Sequence, residues 1–370
     1  MNAPVKAQTA LMREAGGVFA RVVSMPCAGA DEVVVAPSAV GICGTDLQML
    51  RGLRSDPAPI IGHEGVGTVV EAGPVACERF PVGKRVLFNP THPARPDLLL
   101  GHSIDGLLQQ RVLVGAASLE GGQLLACPDG MPDALAPLAE PLAAGLLSLE
   151  TLRAALGRVP RRLAIFGGGI VGHLTRIVAE DVAPVPDLVH IHRSAETITW
   201  GEVHGFAPER SIVIEEAATD IGGFDAAIIA TPRNATLSCL DHALAKLTDG
   251  GAISLVAGIA PEERSCILPD VDLAAARTLN TCGLGRPAFV DCVRKDGVSL
   301  RLTGQRGVSA AFLDHAARMI AANGARFTSL VTRPVGLSEA ARLLSHYART
   351  GARLHNGRRF MKLVVDPRSP

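Results

Sequence analysis

Arg162-Leu163-Ala164-Ile165-Phe166-Gly167-Gly168-Gly169-Ile170-Val171-Gly172 is the stretch on which the reading of this chain turns. The run from Arg162 to Phe166 is a short apolar strand pattern. Three glycines follow it without a break, and an amphipathic helical pattern then continues to about Asp181. Gly167, Gly169 and Gly172 therefore hold the G-x-G-x-x-G spacing between a strand and a helix. The first glycine permits a tight turn, the second lets a pyrophosphate approach the backbone, and the third lets the helix pack on the strand. The helix start at Ile170 and Val171 supplies unsatisfied N–H donors for phosphate. Further strand patterns at residues 211–214, 226–230 and 252–256 extend the unit into an α/β, doubly wound parallel sheet of the Rossmann kind.

The next strand, Leu188-Val189-His190-Ile191-His192, leads to the position where such a unit meets the adenosine ribose. A site that prefers NAD places Asp or Glu there. This chain places His192, followed by Arg193 and Ser194. Without a carboxylate a 2′-phosphate is not repelled, and Arg193 can pair with it. The expectation is NADP(H), with NAD(H) accepted if Arg193 stacks on adenine instead.

Upstream, chemistry gathers in two short segments. Gly41-Ile42-Cys43-Gly44-Thr45-Asp46 offers a thiolate, a hydroxyl and a carboxylate within four residues, and Gly62-His63-Glu64-Gly65-Val66-Gly67 adds an imidazole and a second carboxylate. Glu140, in Ala139-Glu140-Pro141-Leu142, is a third. Cys, His and Glu are the S, N and O donors that Zn²⁺ accepts, and three ligands with one exchangeable position make a catalytic rather than a structural site. Taken alone, Glu140 could equally complement the dipole of the helix that it begins.

These segments, with the continuation Thr68-Val69-Val70-Glu71-Ala72-Gly73, resemble the zinc-dependent medium-chain dehydrogenase/reductase family, and most closely its polyol branch, which also carries Glu before Pro141. The resemblance covers nearly the whole chain. It implies a GroES-like, β-rich catalytic domain over residues 1–148, a Rossmann NAD(P)-binding domain over 149–286, and a return segment, 287–370, that completes the first domain. It implies hydride transfer between NAD(P)(H) and a secondary alcohol or ketone, here a polyol, sugar or cyclitol. Cys43, His63, Glu64 and Glu140 become the metal set, with Glu64 bound directly or exchanging with water. Thr45 becomes the proton relay and Asp46 the partner that orients His63. Two departures stand out. Gln48 replaces a histidine that relays the proton in many relatives. Residues 89–110 hold no cysteine, where many relatives carry four for a structural zinc, so one catalytic Zn²⁺ and no structural zinc are expected. His92 and His102 in that segment face the substrate or are solvated loop residues.

The rest of the sequence limits the alternatives. At 370 residues the chain exceeds one ordinary core and calls for two domains. Lys+Arg and Asp+Glu balance, 36 − 36 = 0, which argues against nucleic acid or an anionic membrane as partner. Residues 1–10 show no apolar leader segment, and the most apolar run, near residues 134–149, is interrupted by Pro137, Glu140 and Pro141. Eight cysteines without a Cys-x-x-Cys pair fit free thiols in a reducing cytoplasm. Aromatics are 3% of the residues, so a pocket for a large planar apolar substrate is not expected. The family implies a homodimer or homotetramer. The rival readings are a zinc-free quinone or enoyl reductase on the same fold and a nucleotide-binding sensor without turnover.

Overall fold

The computed structural model describes residues 6–15, 17–182, 184–206, 210–216 and 222–370. Part of the leader reading at residues 1–10 therefore lies outside the described residues. Two compact units emerge, Met1–Glu140 with Leu313–Pro370, and Pro141–Phe312. The sequence reading set its boundaries at 148 and 286. Residues 287–312 fall in the second unit, to whose sheet they supply strands.

The first part of the chain contains β1 (Ala7–Glu14), β2 (Gly17–Ser24), β3 (Val33–Gly41), α1 (Gly44–Leu50), β4 (Glu64–Ala72), β5 (Arg85–Phe88), β6 (Val112–Val114) and β7 (Leu124–Ala126). Two helices follow: α2 (Ala116–Glu120) lies before β7, and α3 (Ala139–Leu156) comes after a 3-10 stretch, Asp133–Leu138. The middle part contains β8 (Arg162–Phe166), α4 (Ile170–Asp181), β9 (Asp187–His192), α5 (Ala195–Val203), β10 (Ser211–Val213), β11 (Phe224–Ile229), β12 (Leu247–Leu255), β13 (Asn280–Thr281), β14 (Val290–Val293) and β15 (Ser299–Arg306). The last part contains β16 (Leu354–His355), β17 (Arg358–Arg359) and β18 (Val364–Val365), after helices Ala310–Ala322 and Leu337–Thr350.

In the first unit, β18, β3, β4, β5 and β7 form an antiparallel sheet in that order, with β6 also on β3, and β1 pairs with β2. β3 is enclosed along nearly its whole length, as its run Val33-Val34-Val35 demands. Helix Leu337–Thr350 buries Leu337, Ala340, Leu343, Leu344 and Tyr347, a three- and four-residue spacing that makes one apolar stripe. It ends at Gly351, whose φ of 73° is the left-handed cap that glycine takes without strain.

The β3–β4 register positions the chemistry. Gly41 faces Glu64, and Val40 faces Gly65. β18 flanks β3 on the other side, with Val364 opposite Gly41, and Ile42 N–H donates to Leu363 O at 2.9 Å. The chain thus leaves β3 at Cys43 just where it enters β4 through His63.

The second unit is a parallel sheet ordered β10-β9-β8-β11-β12-β15, which is 3-2-1-4-5-6 in chain order of its principal strands, with β13 and the antiparallel β14 beyond. Ligands of such sheets bind at the carboxyl ends of the strands where the order reverses, here between β8 and β11. Gly167 sits at that point with φ 131°, and a Cβ on it would stand 2.3 Å from Ala230 O. A Cβ on Gly172 would stand 1.8 Å from Gly167 O, so α4 can close on the turn only with glycine there. The expected α/β, two-domain architecture with a doubly wound sheet is the one observed. The stretch Asp133–Leu156 is long and apolar enough to cross a membrane, but 83% of its most apolar 18-residue window is buried and serves as core. Its helical pattern breaks at residue 138 into the 3-10 stretch and α3, since Pro137 lacks an N–H for a continuous ladder.

Candidate active site

Asp46 is the hinge pin of the first unit's site. It lies in the first turn of α1, fully buried, and accepts from Cys43 N–H at 2.8 Å and from Gly62 N–H at 3.1 Å. One carboxylate therefore ties the segment carrying Cys43 to the segment carrying His63. Charge-assisted bonds of this kind contribute about 1.5–3 kcal/mol each. Asp46 Oδ1 also stands 3.4 Å from His63 Nδ1. Burial raises the pKa of Asp46, but His63, His102 and the Cys43 N–H together hold it below the usual carboxylate range. Burial likewise opposes a charge on His63, and Asp46 outweighs it, so His63 is raised well above the ordinary value.

Cys43, His63 and Glu64 each offer a donor atom, and the three atoms lie within 4.8 Å of one another. Among the described residues no other His/Cys/Asp/Glu group converges in this way. Cys43 is half-buried, while His63 and Glu64 are enclosed. Glu64 Oε1 is buried without a partner, and Thr45 Oγ1 is a second orphan. A sulfur, an imidazole and a carboxylate that converge, with one carboxylate oxygen unsatisfied, fit a Zn²⁺ ion with an exchangeable position.

Glu140, at the start of α3, stands outside the converging trio. It nonetheless feels the site: burial, then the charge of Glu64, push its carboxyl up to about 7, with His63 and Lys362 opposing. Lys362 was not anticipated from sequence. It is fully buried, and its Nζ donates to Glu64 Oε2. Burial lowers its pKa, and Glu64 and Cys43 more than reverse that. The pair occupies space that Gly41 leaves, since a Cβ there would be 3.0 Å from Glu64 Oε2 and 3.2 Å from Lys362 Cδ. The available signal was a lone cation in the apolar run Phe360-Met361-Lys362-Leu363-Val364-Val365.

The two loop histidines divide. His92 is structural: its Nδ1 accepts from Ala94 and Arg95 N–H, and its Nε2 donates to Ala117 O at 3.2 Å. His102 is no solvated residue. It is 5% exposed, with its ring 4.8 Å from that of His63 and its Nδ1 3.4 Å from Asp56 Oδ1. Burial, then the charge of His63, lower it to about 4. Residues 89–110 are tied down by amide and hydroxyl bonds, such as Gln123 Nε2 to Pro90 O and Leu98 O, both 2.8 Å.

In the second unit, Gly169 caps α4, and a Cβ added there meets nothing within 4 Å, which leaves its backbone approachable. Ile170 and Val171 begin the helix behind it. Arg193 is exposed, and Ser194 caps α5. His192, expected at the ribose position, is 1% exposed and lies under the turn, with Nδ1 2.4 Å from the Cβ position of Gly168.

Residues 29–121 match the family described as alcohol dehydrogenase GroES-like domain. The chain is 29% identical over 197 residues to an uncharacterized zinc-type alcohol dehydrogenase-like protein of Haemophilus influenzae, covering 49% of this chain and 55% of that one. It is 30% identical over 249 residues to the probable zinc-binding alcohol dehydrogenase of Mycobacterium tuberculosis, 62% of each. The matches thus span little more than half the length of these relatives. Among solved structures, a Sinorhizobium meliloti protein described as a zinc-binding dehydrogenase and bound to NADP superposes with TM-score 0.72 at 22% identity, over 98% of this chain and all of that one. Galactitol-1-phosphate dehydrogenase of Escherichia coli gives 0.70 at 16% identity, over 97% and 100%.

Proposed function

We propose, for a chain that belongs to the zinc-dependent medium-chain dehydrogenase/reductase family, an oxidoreductase that moves a hydride between NAD(P)(H) and a secondary alcohol or the matching ketone. The observation that carries the reading is the convergence of Cys43, His63 and Glu64, with Glu64 Oε1 left unpartnered. These three would hold one zinc ion, and Glu140 would join the set directly or through water. When bound, zinc supplies a Lewis acid to the reacting oxygen, and the nicotinamide supplies or accepts the hydride.

The chain's own residues do the remainder. Thr45 Oγ1, buried and unpartnered, takes the proton from the alcohol or returns it to the ketone oxygen. Gln48 carries no titrating group, so the proton leaves Thr45 by the coenzyme's ribose hydroxyls, water or another histidine rather than by a side chain one turn on. Asp46 fixes the tautomer and direction of His63. Lys362 compensates the charge of Glu64 inside the core. Gly167, Gly169, Ile170, Val171 and Gly172 receive the coenzyme's phosphates, while Arg193 and Ser194 meet the adenosine end with His192 beneath them. The missing carboxylate beside an exposed Arg193 favours NADP(H), with NAD(H) accepted, and the NADP-bound structural neighbour supports this. The substrate class is a polyol, sugar or cyclitol. A scarcity of aromatics and the polyol phosphate in a neighbour's name support it.

A screen of secondary alcohols and ketones against zinc-loaded protein with both coenzymes tests the reading. Turnover should appear with a polyhydroxylated substrate, faster with the phosphorylated coenzyme. Thr45→Val should lower kcat by about a hundredfold with zinc content intact, and Thr45→Ser should restore it. Zinc-loaded protein inert toward every class would contradict the proposal.

A further inference from the structure

Three histidines of the second unit carry no proton or hydride step in the chemistry above, though His192 lies beneath the proposed adenosine end. His173 lies on α4, and His190 and His192 lie on one face of β9. All three are buried, with ring centroids 5.0 Å apart for His173–His190, 5.8 Å for His173–His192 and 4.1 Å for His190–His192. They are not a ligand set, because their donor atoms do not converge as those of Cys43, His63 and Glu64 do.

Hydrogen bonding fixes two of the tautomers. A carbonyl can only accept, so in the 2.9 Å contact with Gly167 O the hydrogen sits on His190 Nε2. Thr197 Oγ1 gives its hydrogen to Ser194 O at 2.8 Å, so at 3.0 Å it accepts from His192 Nδ1. His190 Nδ1, His192 Nε2 and both nitrogens of His173 meet no partner. Gly167 O is the atom that crowds the Cβ position of Gly172, and His190 Nε2 stands 3.1 Å from that same position. The first peptide of the turn is thus held between the start of α4 and one imidazole.

We propose that His190 is a positioning residue for dinucleotide binding: as a neutral imidazole donating from Nε2 to Gly167 O, it fixes the peptide on which the Gly167–Gly172 turn is built, while His173 and His192 keep its surroundings uncharged. The proposal rests on the reading that this turn receives the coenzyme's phosphates.

Neutrality is the operating condition. Burial pushes His173 down to about 3, with His192 and Arg176 adding to it, and burial pushes His192 down to about 4. Burial, then His192 and His173, take His190 well below its ordinary value; Gly167 O pulls the other way and Arg176 adds to the fall. From α4 the charged group facing the stack is Arg176, itself ion-paired to Glu180. From α5 come Thr197 and Trp200, the latter 5.6 Å from His173 and stacked at 4.2 Å on His204. Phe206 closes the stack at 6.0 Å from His173. In the unfolded chain these histidines titrate near 6.5, so their stabilising contribution is complete above that pH and is lost as pH falls from 6.5 toward 4 and 3.

The test uses full-length, zinc-loaded protein with NADPH as probe and the single Trp200 as local reporter. Wild type must bind NADPH at pH 7.5; absence of binding overturns the dinucleotide reading and this proposal together. His190→Leu should weaken NADPH binding about tenfold, the effect of one lost hydrogen bond, with kcat and zinc content unchanged. His190→Gln, whose amide N–H can still donate, should stay within about threefold of wild type. Proton uptake on unfolding between pH 6.5 and 5, read through Trp200, should fall by about one in His190→Gln. If His190→Leu binds as wild type does, or His190→Gln binds as weakly as His190→Leu, this proposal fails while the dinucleotide reading stands.

Discussion

His63 in the first unit and His190 in the second are both enclosed, at 4% and 0% exposure, yet they carry opposite charge tendencies. Burial pushes both toward the neutral form. His63 meets a buried carboxylate at 3.4 Å, which raises its pKa in the absence of a metal ion. His190 donates to a carbonyl oxygen and meets two further imidazoles, and burial with those neighbours lowers its pKa. The difference teaches that depth does not decide what a histidine does; the partner on its far nitrogen does. On the proposals above, one arrangement would orient a ligand for a cation, and the other would brace a backbone turn.

The largest expected effect breaks the charge compensation of the first cluster. Lys362→Met leaves Glu64 buried without its cation, a change that costs about 3–5 kcal/mol. Urea unfolding of metal-free protein measures it. The loss should shrink in zinc-loaded protein, where Glu64 gains an ion to face. An equal loss in both states would mean that Lys362 and the metal do not share Glu64.

A smaller change removes the contrast itself. Asp46→Asn takes away the carboxylate and leaves the shape, so His63 should titrate below its wild-type value, as the second cluster does. NMR of the imidazole follows that shift. Zinc affinity should fall by about tenfold, the lower end for a lost outer partner of a ligating histidine. A His63 that titrates as before would show that Asp46 is not the group holding its proton.

Much of this was legible in the sequence, for reasons that can be named. The glycine spacing after Phe166 specified the β8–α4 turn because the approach of Gly167 O to Gly172 admits no side chain. Cys43, His63 and Glu64 could be read as one site because donor type limits the chemistry, and the β3–β4 register then brings them together. What escaped notice depends on contacts between distant segments. Lys362 and Glu64 are 298 positions apart, and nothing local announces their pairing. His102 reads in sequence as either a substrate-facing or a solvated loop residue because its packing on His63 joins distant segments. His173 and His190 are alike: one lies on a helix and one on a strand, and only the fold stacks them. Strand pairing, which composition does not announce, decides to which sheet β14 and β15 belong.

The most direct test of the central claim is a calorimetric zinc titration of chelator-stripped wild type beside Cys43→Ser. Wild type should take up one equivalent, and the variant should bind more than about a hundredfold more weakly, beyond the cost of any outer partner. Equal uptake by the two proteins, or none by wild type, would contradict the account.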